Sequence, residues 1–209
     1  QFIDGISLDQ LDDRAARYTL GSHSTVEQAI ADIGRQAADA LDYAHRQDVI
    51  HRDVKPENIH LVDDDKHGGD YVKILDFGVS KFEENELGDG FMTKAGMVMG
   101  TPYFMSPEQA HGKVPLDHRA DLYAVGVILF QALAGRVPFN AKTFSELMIM
   151  VALEEPPKLV SLVPDIDEQV ATIVAKAMAR ERDDRYATAE EFAEDMAKWL
   201  INAGGTLPL

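Results

Sequence analysis

Apolar residues recur with a helical period over most of the chain. Between residues 24 and 46, Ala29, Ile30, Ile33, Ala37, Leu41 and Ala44 fall on one face, the spacing of an amphipathic helix. Ser24-Thr25-Val26-Glu27 opens that stretch as a capping box, in which a hydroxyl and a later carboxylate satisfy free backbone N–H groups reciprocally. Residues 121–134 are apolar nearly all round, as a helix buried on every side must be, and Gly135 followed by Pro138 closes the run. Shorter helices are predicted over 143–153, stopping before Pro156-Pro157, and over 167–179, where Val170, Ile173, Val174, Ala177 and Met178 share a face. Thr188-Ala189-Glu190-Glu191 is a further capping box and starts a last helix ending near Gly204-Gly205, with Phe192, Met196 and Trp199 as its inward stripe. Ser7-Leu8-Asp9-Gln10 fits the same box and predicts a helix start near the beginning of the chain.

Strand patterning is local. Residues 58–62 and 71–75 flank the polar turn 63–70, which predicts a hairpin with an extended, acidic tip. From 78 to 107 neither period is sustained, and so long a loop inside a compact domain reads as functional. The expected fold class is mainly α, a helical bundle with one short β-hairpin.

Composition narrows the function. The 209 residues are 45% hydrophobic, enough for one domain with a substantial core. Thirty-six acidic against twenty basic side chains give a net charge of −16, which disfavours a nucleic-acid partner and an anionic membrane. With no cysteine, disulfides, thiolate metal sites and cysteine nucleophiles are excluded. His45, His51, His60 and His67 lack a paired i, i+4 spacing, so zinc is disfavoured. The longest apolar stretch, 122–133, is too short to span a bilayer. Without a signal-peptide pattern, a cytoplasmic location is expected, with any membrane anchor of the parent protein outside these residues.

Two phrases bracket the hairpin: His51-Arg52-Asp53-Val54-Lys55-Pro56-Glu57-Asn58 before it and Asp76-Phe77-Gly78 after it. A turn brings Asp53, Lys55 and Asn58 close together, and the hairpin returns Asp76 to the same end. Two carboxylates, an amide oxygen and an ammonium on one edge suit a magnesium polyphosphate. The hard cation takes oxygens, the amine takes phosphate, and the remaining carboxylate positions a hydroxyl.

With these phrases the chain resembles the eukaryotic-type protein kinases, Ser/Thr branch, and most of all their bacterial members. The resemblance continues in Gly100-Thr101-Pro102-Tyr103-Phe104-Met105-Ser106-Pro107-Glu108, with Ser106 where Ala is more usual. It runs on through Asp121-Leu122-Tyr123-Ala124-Val125-Gly126 and Gly135-Arg136-Val137-Pro138-Phe139 to Arg185-Tyr186. It implies a protein Ser/Thr kinase using ATP and Mg²⁺ on a protein substrate. By the resemblance, Asp53 accepts or orients the substrate hydroxyl proton, and Lys55 screens the transferring phosphoryl. Asn58 and Asp76 hold Mg²⁺, while Thr101 hydrogen-bonds the Asp53–Lys55 pair. Phe2, Ile3 and Asp4 border adenine, with His60 beneath it where an apolar residue is usual. Glu108 pairs with Arg185, and Asp121 anchors the catalytic turn. His51 packs towards Phe77. Arg52 beside Asp53 implies a phosphate on the activation loop, with Thr93 as the candidate acceptor. Arg182, in place of a usual proline, is expected to matter little.

The glycine-rich loop and upstream lysine of such kinases have no counterpart: no G-x-G-x-x-G occurs, and no lysine precedes Lys55. Residues 1–209 are therefore expected to be the carboxy-terminal lobe alone, from hinge to last helix. Its partner is the amino-terminal lobe, and the isolated chain is expected to be inactive. The alternative is a non-catalytic, kinase-like regulatory or scaffold module.

Overall fold

The computed structural model of the chain describes residues 6–7, 25–64, 69–77, 102–112 and 115–204. Six helices carry most of the described fold: α1 (Val26–His45), α2 (Pro107–His111), α3 (Arg119–Ala134), α4 (Phe144–Leu153), α5 (Glu168–Ala177) and α6 (Ala189–Asn202). Strands β1 (Ile6–Ser7), β2 (Ile59–Asp64) and β3 (Gly69–Ile74) form one antiparallel sheet in the order β1-β2-β3. The expected class, mainly α with a short hairpin, is the one found.

Helix α3 is the axis. Every residue from Ala120 to Phe130 is buried, because α1, α5 and α6 pack around it. Burying each large side chain there, such as Leu122 or Leu129, stabilises by roughly 1.5–3 kcal/mol. Gly126 is dictated by that crowding. A Cβ at this position would sit 2.7 Å from Met178 Cγ and 3.0 Å from Ala177 Cβ at the end of α5. Gly135 closes α3 in the left-handed conformation, φ 69°, as its place in the sequence predicts. Helix α1 presents Leu41 and the small residues Ala29, Ala37, Ala38 and Ala44 to the core, and the alanines let it approach its neighbours closely. Phe139, Leu147 and Val151 form a second, smaller cluster beneath α4, and Tyr103 touches both clusters.

The caps refine the sequence expectation. The first box sits one residue later than Ser24: Thr25 Oγ1 accepts the Gln28 N–H at 3.2 Å, and Gln28 Oε1 accepts the Thr25 N–H at 3.3 Å. Gln28 wins over Glu27 because its side chain is buried against the Ala203 carbonyl, to which an amide can donate and a carboxylate cannot. Its Nε2 donates to the Ala203 carbonyl at 2.7 Å, clasping the start of α1 to the end of α6. At α6, Thr188 Oγ1 accepts from Glu191 N–H as expected, but the Glu191 carboxylate takes the Ala187 N–H instead of reaching back to Thr188.

Other departures lie in the strands and the long loop. Ser7, read as a helix cap, lies in β1 opposite His60; residues 8–24 lie outside the described set. The hairpin ladder runs from Ile59↔Ile74 to Asp64↔Gly69. It is longer than predicted, because backbone pairing continues where Asp and Gly alone suggest a turn. Helix α2 lies at the end of the stretch read as loop. Ser106 caps it, with Gln109 closing a reciprocal box.

Two polar links hold the lower helices. Glu108 and Arg185 form a buried bidentate pair, both bonds 2.8 Å, and Arg185 also donates to the carbonyls of Ala179, Arg119 and Arg180. At the surface, Asp117 receives Arg119 at 2.9 Å and Arg182 at 3.1 Å, and Arg182 also donates to the Pro115 carbonyl. Arg182 is therefore a tie between segments. Partial burial pushes the Asp117 carboxyl up, but the hydrogen bonds and charge of Arg119, with the charge of Arg182, hold it below the usual range.

Removing one partner of a buried ion pair strands the other charge. Arg185→Ala is expected to lower stability by about 3–5 kcal/mol in urea denaturation. For Asp117 the folded value lies below the unfolded one, so its contribution exists above the ordinary carboxylate pKa and disappears as pH falls through the folded value. Asp117→Asn should cost about 1 kcal/mol at pH 7, and the gap from wild type should close in acid. Denaturation at neutral and acidic pH measures it.

Candidate active site

The turn preceding β2 is built around one carboxylate. Asp121, 2% exposed at the start of α3, accepts the His51 N–H on Oδ2 and the Arg52 N–H on Oδ1, each at 2.8 Å. His45, at the end of α1, adds its Nε2 to Oδ2 at 2.8 Å. Those bonds hold Arg52 with φ 66°, a left-handed backbone that a non-glycine residue adopts only when fixed by its surroundings.

His51 lies fully buried beneath the turn. Its Nδ1 accepts the Asp53 N–H at 3.3 Å, so the ring proton sits on Nε2 and is donated to the Leu75 carbonyl at 2.9 Å. The same ring meets Phe77 with centroids 4.6 Å apart. One imidazole thus joins the Asp53 turn to the segment after β3, in agreement with the structural role expected for it.

Beyond Asp53 the chain makes a short 3₁₀ turn, Pro56–Asn58, with Pro56 at its first position, where the missing N–H costs nothing. The turn folds Lys55 back, and its Nζ donates to Asp53 Oδ2 at 3.1 Å. Asn58 is buried and gives its Nδ2 hydrogens to the Asp53 carbonyl at 2.8 Å, so Oδ1 is the oxygen it can offer a cation. The Asn58 carbonyl accepts the Leu75 N–H at 2.8 Å, which places Asp76 one residue beyond the residue paired with Asn58. Asp76 is exposed, with φ 55°. Of the four residues singled out for chemistry, Asp53, Lys55 and Asn58 are in contact, and Asp76 follows Leu75 at the same end of the hairpin. An amide oxygen and a carboxylate make a hard donor set that suits Mg²⁺.

His60 alternates with the buried Ile59 and Leu61, and its Nδ1 is buried with no hydrogen-bond partner among the described residues. Phe2, Ile3, Asp4, Thr93 and Thr101 lie outside the described residues. Two residues of the site escaped sequence reasoning. His45 stands on the polar edge of α1 and shows itself only through Asp121. Gln109, on α2, donates Nε2 to the Arg52 carbonyl at 2.9 Å; the Ser-x-x-Gln spacing from Ser106 was the available signal.

The chain is similar to known proteins. The protein kinase domain family matches residues 6–198. The chain is 41% identical over 172 residues to the serine/threonine-protein kinase pkn3 of Myxococcus xanthus, covering 81% of this chain and 31% of that protein. It is 37% identical over 188 residues to the tyrosine-protein kinase MasK of the same organism, covering 83% and 27%. It superposes on the crystal structure of the Mycobacterium tuberculosis PknI kinase domain with a TM-score of 0.64 at 27% identity, over 95% of this chain and 64% of that one. The chain spans less than a third of these two curated relatives. A turn hung from Asp121, a hairpin bringing Asp76 to the Asn58 end and a family match across most of the residues agree: the chain belongs to the protein kinase domain family, among its bacterial members.

Proposed function

We propose that this chain is the carboxy-terminal lobe of a serine/threonine protein kinase that transfers the γ-phosphate of ATP to a protein hydroxyl. Kinases of this family use ATP with Mg²⁺ and act on proteins. The observation that carries the reading here is the convergence of Asp53, Lys55 and Asn58 in one turn, with the Lys55 ammonium 3.1 Å from the Asp53 carboxylate.

In this reading the substrate oxygen forms the new bond to the γ-phosphorus as the bond from that phosphorus to the ADP oxygen breaks, and the hydroxyl proton passes to Asp53. Lys55 faces the transferring phosphoryl and offsets its charge. Asn58 Oδ1 and the Asp76 carboxylate hold Mg²⁺, which when bound neutralises the polyphosphate. By the family resemblance, His60 would lie beneath the adenine; the roles that resemblance gives Phe2, Ile3, Asp4 and Thr101 fall outside the described residues. Lys55, two residues after Asp53, favours Ser and Thr acceptors over Tyr. A scaffold protein has no physical need for all four polar groups in this geometry. Arg52 extends the reading to regulation. Its Nε is buried without a hydrogen-bond partner among the described residues, which suits a phosphate on Thr93.

A groove of about 750 Å³ between α1 and β3 supports the single-lobe reading. Tyr43, Val49, Tyr71, Ile74 and Phe77 help to line it, and the exposed Tyr43, Val49 and Tyr71 suit a face covered by the amino-terminal lobe. We propose a cytoplasmic location, where ATP is available. No described helix is long and apolar enough to cross a membrane, and an anchor of the parent would lie in other segments.

In the complete kinase, Asp53→Asn is expected to lower phosphate transfer to protein by at least about a hundredfold while moving the melting temperature by less than about 2 °C. Phosphoamino-acid analysis of the product should return phosphoserine or phosphothreonine. Undiminished turnover removes Asp53 from its role, and phosphotyrosine alone overturns the acceptor class. The isolated chain should shift by less than about 1 °C with millimolar Mg·ATP; a clear thermal shift contradicts the half-site account.

A further inference from the structure

We propose that Gln109 is a positioning residue for Asp53: its carboxamide, aimed by Ser106, holds the peptide group that leads into the catalytic turn's carboxylate. The role given to Asp53 rests on the function proposed above.

The peptide between Arg52 and Asp53 follows a left-handed residue, φ 66°, and its plane sets the direction in which Asp53 leaves the backbone. It is held at both ends. The Arg52 carbonyl accepts from Gln109 Nε2 at 2.9 Å, and the Asp53 N–H is donated to His51 Nδ1 at 3.3 Å. The bonds from Asp121 act one and two peptides earlier, on the Arg52 and His51 N–H groups respectively. Without Gln109 this plane loses the shorter of these two bonds, and its rotation swings Asp53 away from Lys55.

Gln109 is suited to the task because its other end is fixed. Gln109 Oε1 accepts the Ser106 N–H at 2.9 Å, and Ser106 Oγ accepts the Gln109 N–H at 3.4 Å. The amide is planar, so fixing its oxygen against Ser106 directs its nitrogen at Arg52. The preceding residue, Glu108, locks α2 to Arg185, so the carboxamide projects from a braced platform. Ser106 is the hydroxyl half of this device. Placement of the 102–111 segment and the aim of Asp53 are thereby one structural event, and a shift of α2 releases the Arg52 carbonyl.

Two substitutions isolate the bond. Gln109→Leu removes both ends of the carboxamide. Gln109→Glu keeps an oxygen for Ser106 but offers no donor to Arg52, and it guards against a folding defect in the leucine variant. In the complete kinase with myelin basic protein as acceptor, both variants are expected to lose about tenfold in kcat. KM for Mg·ATP should stay within about twofold, and the Gln109→Glu melting temperature within about 2 °C. In this chain without nucleotide, amide hydrogen exchange at Asp53 should quicken about tenfold in both variants. Wild-type kcat and wild-type exchange in Gln109→Glu overturn the proposal, as does a kcat loss matched by global unfolding. If the wild-type kinase transfers no phosphate, the functional reading fails, and the exchange rate alone decides whether Gln109 holds Asp53.

Discussion

The site depends on the buried carboxylate of Asp121. A carboxylate almost wholly removed from water is costly unless its oxygens are matched by donors, and here two backbone amides and an imidazole supply them. The match runs both ways. The donors stabilise the charge, and the charge obliges His51 and Arg52 to present their N–H groups side by side, which forces the left-handed turn at Arg52. Because Asp121 opens the most deeply buried helix, the turn inherits the rigidity of the core.

From that anchor, geometry passes outward in short steps. His51 carries it to Leu75 and Phe77, and so to Asp76 across the hairpin. Asn58 carries it back to the Asp53 carbonyl. Glu108 and Arg185 secure α2 from below, and Gln109 closes the loop above. Hydrophobic packing alone does not orient a carboxylate to within a fraction of an ångström; directional hydrogen bonds fixed on buried elements do.

How much of this could be read from the residues depended on range. Helices α1, α3, α5 and α6 were legible because their apolar spacing and caps are local; the roles of Asp121, His51 and the Glu108–Arg185 pair needed the family resemblance. Legibility failed where tertiary context chose between local options. Gln28 displaced Glu27 in the first cap because only an amide could be buried against Ala203. One turn of helix at 107–111 left too short a period to detect, so Gln109 went unremarked beside its more familiar neighbour Glu108. Arg182 looked like an idle replacement for proline because its partners, Asp117 and Pro115, lie more than sixty residues away.

The clasp between Gln28 and Ala203 joins the first turn of α1 to the end of α6 at a single corner. Helix ends are where a fold frays first, and here neither end can open without breaking the same amide–carbonyl bond, so the two termini of the helical packing come loose together or not at all.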